Sequence, residues 1–131
     1  MAAVFLLVVV AGYIAYLSTQ SNVQQTTTVL DVQSARALQA ARAGIEWGAF
    51  QIIRNNTGCS PGPFPNTLTF AGTTLSDFSA VVTCTPSGTI NEGASSVVVY
   101  QITSTGCNAA ACPGTATSVY AERQLSVTIA K

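Results

Sequence analysis

The first proline of the chain stands at position 61, and everything before residue 55 reads as one uninterrupted helix. Proline is the strongest helix breaker, so its absence over so long a run is a strong constraint. Apolar residues recur at Leu38, Ala41, Ile45, Gly48, Ala49 and Ile52, which predicts an amphipathic second half. The first half is different in kind. Residues 1–17, MAAVFLLVVVAGYIAYL, carry no charge, and a helix there is apolar on every side. Unbroken, residues 1–54 would measure roughly 80 Å at about 1.5 Å per residue, more than a small domain can cover. Residues 1–17 must then be buried by lipid or by other copies of the chain. Val4, Phe5, Leu6, Leu7, Val8, Val9, Val10, Ile14 and Leu17 are the candidate contact residues. Burying about ten large aliphatic side chains at ~1.5–3 kcal/mol each is worth on the order of 15–30 kcal/mol.

The apolar run falls slightly short of the ~20 residues of a full membrane span. It could also be the apolar region of a secretory signal, but that reading is not the expected one: no basic residue precedes the run, and its exit, Tyr16-Leu17-Ser18, lacks the small residues of a cleavage site. Residues 18–28, STQSNVQQTTT, are polar and β-branched, and with Gly12 they mark where the helix could thin, bend or unwind. From 29 to 54 the helix recovers. Leu38, Ile45, Trp47 and Ile52 are expected to pack on whatever follows, and Trp47 and Phe50 read as core contacts rather than a binding platform. Asn55-Asn56-Thr57-Gly58 supplies a stop suited to a left-handed cap.

Residues 55–131 form one small unit near the lower size limit for a self-sufficient core. Staples would help it. All four cysteines, Cys59, Cys84, Cys107 and Cys112, fall here, an even count that suits two disulfides formed outside the cytoplasm. Three pairings are possible, of which Cys59–Cys84 with Cys107–Cys112 is the expected one. With no histidine in the chain and no paired C-x2-C knuckles, a structural zinc site does not fit, and no cofactor is expected. Residues 60–66, SPGPFPN, hold three of the five prolines and read as a surface loop. Alternating runs at 67–70, 78–85, 96–105 and 121–130 predict four strands of an antiparallel sheet laid on the helix. Val98, Tyr100 and Ile102 share one face, as do Leu125, Val127 and Ile129, while Gln124, Ser126 and Thr128 point the other way. Turns are expected at Pro86-Ser87-Gly88 and Asn91-Glu92-Gly93, and residues 106–118 form a loop pinned by its own two cysteines. The fold class is therefore α+β.

Five basic and five acidic residues give a net charge of zero, and Arg36, Arg42, Arg54, Arg123 and Lys131 are scattered. Direct nucleic-acid binding, which rests on a basic stripe, is not expected. Neither is catalysis. Asp31, Glu46, Asp77, Glu92 and Glu122 stand singly, there is no histidine, and no serine sits in a G-x-S-x-G turn. The abundant serines and threonines read as a solvated β surface open to glycosylation. The Asn55-Asn56-Thr57 sequon is a weak match.

The segments AVFLLVVVAG at 3–12, VQQTTTVLDVQSARALQAARAGIEWGAFQI at 23–52, and VVVYQITSTGCN with CPG and YAERQLSV further on, resemble the type IV pilin superfamily, in particular pilin-like components of the mannose-sensitive haemagglutinin pilus system. The resemblance covers most of the chain and is most specific in ARALQAARAGIEWGAFQ. It implies a long N-terminal helix packed on a four-stranded antiparallel sheet. It also implies a helix held in the bacterial inner membrane and then assembled, with copies of itself or other pilins and with dedicated machinery, into an extracellular filament for adhesion or motility. Two departures stand out. No basic leader ending in glycine precedes the apolar run, and aligning that run with mature pilins places their usual start a few residues upstream of Met1. The glutamate that pilins carry near their mature N-terminus is also missing, its place falling at Ala2 or nearby, which resembles subunits of tips or initiation complexes. The competing reading is a single-pass anchor carrying a small periplasmic domain; the alanine-rich ARALQAARAG block, which permits close helix approach, favours the filament.

Overall fold

Helix α1 spans Ala2–Ile53 without a break in its backbone, including the polar stretch 18–28 where weakening was expected. The structure is a computed structural model; it describes the chain except residues 1, 94 and 116–118, and except the side chains of residues 18–26 and 92. Four strands follow: β1 (Asn66–Thr69), β2 (Ser79–Glu92), β3 (Ser95–Cys107) and β4 (Glu122–Ala130). They pair in sequence order as one antiparallel meander, so the arrangement is α+β. The chain divides into two compact units, Met1–Val32 and Gln33–Lys131, and the second contains the whole sheet together with the last turns of α1.

Alternation of side chains across the strands decides which face meets the helix. Ala80 and Val82 of β2, Ile102, Ser104 and Gly106 of β3, and Val127 and Ile129 of β4 lie on the inner face in register. The opposite face is uncharged over most of its area, with Thr83, Thr103 and Ser126 in one cross-strand row. Gln101 and Gln124 lace it by donating to Ser126 at 3.2 Å and to Thr105 at 3.0 Å.

On the helix the buried stripe is Ala37, Ala40, Ala41, Gly44, Gly48 and Ile52, spaced three and four apart. Most of these residues are small, which lets the helix backbone come close to the sheet. A methyl group at Gly44 would overlap the Ser104 hydroxyl and stand 3.0 Å from Val82; at Gly48 it would stand 2.9 Å from Ile102. Two apolar clusters result. Ile52, Val82 and Ile102 are fully buried, with Ile45, Trp47, Leu68, Tyr100, Val127 and Ile129 packed around them. Ala37, Ala40 and Phe78 form the other, with Phe70 and Leu75 against it. Each fully buried isoleucine or valine contributes about 1.5–3 kcal/mol. Of the residues expected to carry helix packing, Ile52 is central, Ile45 and Trp47 are partly buried against it, and Leu38 is half-buried outside both clusters. The contact stripe begins one position earlier, at Ala37, because 3.6-residue periodicity aligns 37, 41, 44, 48 and 52 and leaves 38 and 45 on its flank.

Both disulfides pair as expected, Cys59 with Cys84 and Cys107 with Cys112. The first ties the chain just past the helix to β2. Asn56 adopts the left-handed conformation at φ 54°, and Thr57 donates to the Gln51 carbonyl through both its amide and its hydroxyl, which terminates the helix. The ammonium of Lys131 donates to the carbonyls of Ile52 and Ile53, satisfying acceptors that a helix end leaves open.

One expected turn is instead strand. Pro86-Ser87-Gly88 is a β-bulge inside β2: Pro86 pairs with Tyr100 and Gly88 with Val99, so Ser87 is an extra residue. Gly88 sits at φ 142°, which favours glycine. Pro86 is tolerated because β1 pairs only with residues 79–82, leaving the remainder of β2 an edge with no ladder donor required of that residue. The bulge shifts side-chain parity, and Ile90 comes to lie on the outer face opposite Val97, 54% exposed.

Candidate assembly surface

In the unit Met1–Val32, the helix from Ala2 to Leu17 is exposed along its whole described length. Val4 (64%), Phe5 (69%), Leu6, Leu7, Val8, Val9, Val10, Ile14 and Leu17 (49%) all face open space, and Tyr13 and Tyr16 are exposed with them. These are the residues that the sequence nominated for lipid or filament contact. Val29, Leu30 and Val32, which the sequence reading did not single out, extend the exposed apolar set to the end of the unit. Monomeric proteins rarely leave contiguous apolar patches beyond a few hundred Å² uncovered, so a surface of this kind marks an interaction site. Its chemistry is simple: no side chain from Ala2 to Leu17 ionises apart from two tyrosines, and the remaining contacts it can offer are dispersion and area burial.

The span question has a plain answer. Among the described residues no helix is long and apolar enough to cross a membrane. The expected transmembrane segment is therefore not found among the described residues; in the sequence the apolar run ends at Leu17, before the polar stretch that begins at Ser18, short of the ~20 residues that a bilayer core requires.

The second unit, Gln33–Lys131, covers its own core and offers different surfaces. Trp47 is half-buried, and Phe64 of the 60–66 loop meets its ring edge-on with centroids 5.4 Å apart, which pins that loop to the helix. Phe50 differs from its expected role as a core contact: it is 52% exposed, because it stands two residues, about 200° around the helix, from each of the buried Gly48 and Ile52, and Ile53 beside it is 54% exposed. Nothing in sequence periodicity separates Phe50 from its buried neighbours unless the stripe is drawn through the small residues rather than the large ones.

The second disulfide loop is fastened from several sides. Asn108 donates from its amide side chain to the Val119 carbonyl and accepts from the Ala121 amide, both at 2.8 Å. The Ser79 hydroxyl donates to the Ala109 carbonyl at 2.7 Å. Tyr120 donates to the Glu122 carboxylate and accepts from the Gly114 amide. Desolvation first, and the bond to Glu122 second, push the Tyr120 phenol above its ordinary value, so it stays a neutral donor. The expected loop 106–118 is thus strand through Cys107 and closed loop from there to Cys112; residues 116–118 lie outside the described part.

All four cysteines are in disulfides, which leaves none free as a thiolate. Among the described residues no three histidine, cysteine, aspartate or glutamate side chains gather where a metal ion would sit. No protein-family model, curated protein or solved structure matches this chain.

Proposed function

We propose that this chain is a structural subunit, a pilin or minor pilin, of a helical surface filament of the type IV pilus kind. One observation carries the reading. A helix apolar on all sides and exposed from Ala2 to Leu17 stands in the same chain as a disulfide-stapled unit that buries its own core. Such a stretch needs neighbours as apolar as itself. Copies of it packed side by side in a filament core supply them, and so does the acyl interior of the bacterial inner membrane in which the subunit resides before assembly. Transfer between those two surroundings changes apolar exposure little, so packing rather than hydrophobicity sets the balance and assembly is reversible. The sheet domain then lies outward, where the filament serves adhesion or motility.

The intact mass of the chain recovered from filaments sheared off the cell surface tests this. Recovery in bulk with the sheared filaments, at a mass short of four thiol hydrogens, supports a disulfide-bonded filament subunit. Retention in the membrane fraction, with none in the sheared material, overturns it in favour of an anchored periplasmic domain.

A further inference from the structure

A cavity of about 360 Å³ opens where the end of β1, the segment leading into β2 and the second disulfide loop converge. Its size falls in the range of small-molecule sites. It is open to solvent and lined by Phe78, Ala109 and Ala110 together with Thr69, Ser76, Asp77 and Ser79, of which Thr69, Ser76, Asp77 and Ala110 are exposed. The walls are fixed before any ligand arrives. Ala109 and Ala110 belong to the loop closed by Cys107–Cys112 and are held down by the Ser79 hydroxyl. On the other side, Thr73 accepts from Leu75 and donates to Phe70, while the amides of Ser76 and Phe78 donate to Thr73 and Leu75.

Asp77 is exposed, has no hydrogen-bond or ion-pair partner among the described residues, and is the single ionisable group of the cavity lining. A lining whose one charge is a carboxylate repels anions. One carboxylate is too few for a divalent cation, which takes six or more oxygen ligands or a carboxylate pair. The complementary head is a group with several donors and no acceptor, which describes a primary ammonium. The apolar walls in turn ask for a short hydrocarbon body behind that head. We infer that this cavity is a subsite for a primary alkylammonium group, with Asp77 as the counter-ion, Thr69 and Ser76 as acceptors, and Phe78, Ala109 and Ala110 around the alkyl chain. The same chemistry is offered by a free aliphatic amine and by a lysine side chain of a protein partner. The inference does not depend on filament assembly, since every residue in it belongs to the unit Gln33–Lys131.

Titration of the full chain in a non-ionic detergent with n-butylammonium chloride, followed by the amide NMR shifts of Phe78, Ala109 and Ala110, tests the site. The expected result is saturable binding with a Kd on the order of millimolar, as five non-hydrogen atoms permit. n-Butanol, of the same shape without the charge, should bind at least about tenfold more weakly, as should n-butylammonium to Asp77→Asn, since a charge-assisted hydrogen bond is worth about that factor or more. Ala110→Phe should abolish binding by filling the cavity, and it serves as the independent variant if Asp77→Asn alters the unliganded spectrum. Shifts that fail to saturate, that are equal for n-butanol, or that survive both substitutions would overturn the assignment. An Nα-acetyl-lysine N-methylamide probe separates the two sources: tighter binding than n-butylammonium supports the subsite as one for a protein lysine, weaker binding supports it as one for a free amine.

Discussion

The two stretches of α1 solve opposite problems with opposite residues. From Ala2 to Leu17 the side chains are large and exposed; from Ala37 to Ile52 those that are buried are mostly alanine and glycine. Large aliphatic groups gain most from burial but specify little about what covers them. Small ones contribute less area each and instead demand one particular neighbour at one particular depth, as the Ser104 hydroxyl demands Gly44. Under the proposed assembly, a stretch that exchanges one apolar environment for another suits the first design. A stretch meant to hold one sheet for good suits the second.

The largest effect that bears on this contrast is expected from Val8→Asp. An unpaired charge in an apolar contact costs several kcal/mol, so the variant should be absent from sheared filaments while the urea midpoint of the sheet domain stays unchanged. Normal incorporation would erase the distinction between the two stretches. Next come the disulfides, which enclose 25 and 5 residues of sequence separation. On chain-entropy grounds removing Cys59–Cys84 should cost ~3.5 kcal/mol of stability and removing Cys107–Cys112 ~2 kcal/mol. The first loss should also expose the end of the helix to protease, and the second only the loop; equal protease sensitivity of the two variants would show that the loop is not a separate element.

A sharper probe of the small-residue design is Gly44→Ala, expected to cost about 1–3 kcal/mol by overpacking against Ser104 and Val82. Ser104 is fully buried and its hydroxyl has no hydrogen-bond partner among the described residues, so Ser104→Ala alone should be neutral or stabilising by up to ~1 kcal/mol. The double variant should recover most of the Gly44→Ala loss in equilibrium unfolding, and strict additivity of the two changes would mean that the fit between them does not set the helix depth. Smallest of the four, Lys131→Met should cost ~0.5–1 kcal/mol by freeing the Ile52 and Ile53 carbonyls, with faster amide exchange confined to the last helical turn.

The long helix, the four antiparallel strands and the use of the cysteines in disulfides were legible because each rests on a local or countable signal: missing prolines, alternation, an even number of cysteines. The depth of packing was not. Leu38 drew attention by its size, whereas the stripe beginning at Ala37 reveals itself only once a partner surface is known to approach. Phe50 misled for the same reason, since hydrophobicity says that a side chain would gain from burial and not which way the backbone turns it. The cavity beside Asp77 had no sequence signature at all. Its walls come from segments about thirty residues apart, brought together by strand register and a hydrogen bond from Ser79 to Ala109.

The bulge at Ser87 has a consequence for how the molecule presents itself. A sheet has two sides, and one supernumerary residue trades them. With Ser87 paired in unbroken alternation, Ile90 would continue the even-numbered row of Ala80, Val82 and Cys84 toward the helix side; with Ser87 bulged out, the isoleucine is delivered to the hydroxyl-covered side opposite Val97. The far end of the β2–β3 ribbon thus carries its apolar residue on the side away from the helix, and deleting Ser87 would straighten the ladder while leaving Ile90 opposite Val97, because the bulge absorbs the extra residue locally and the pairing on either side of it is kept.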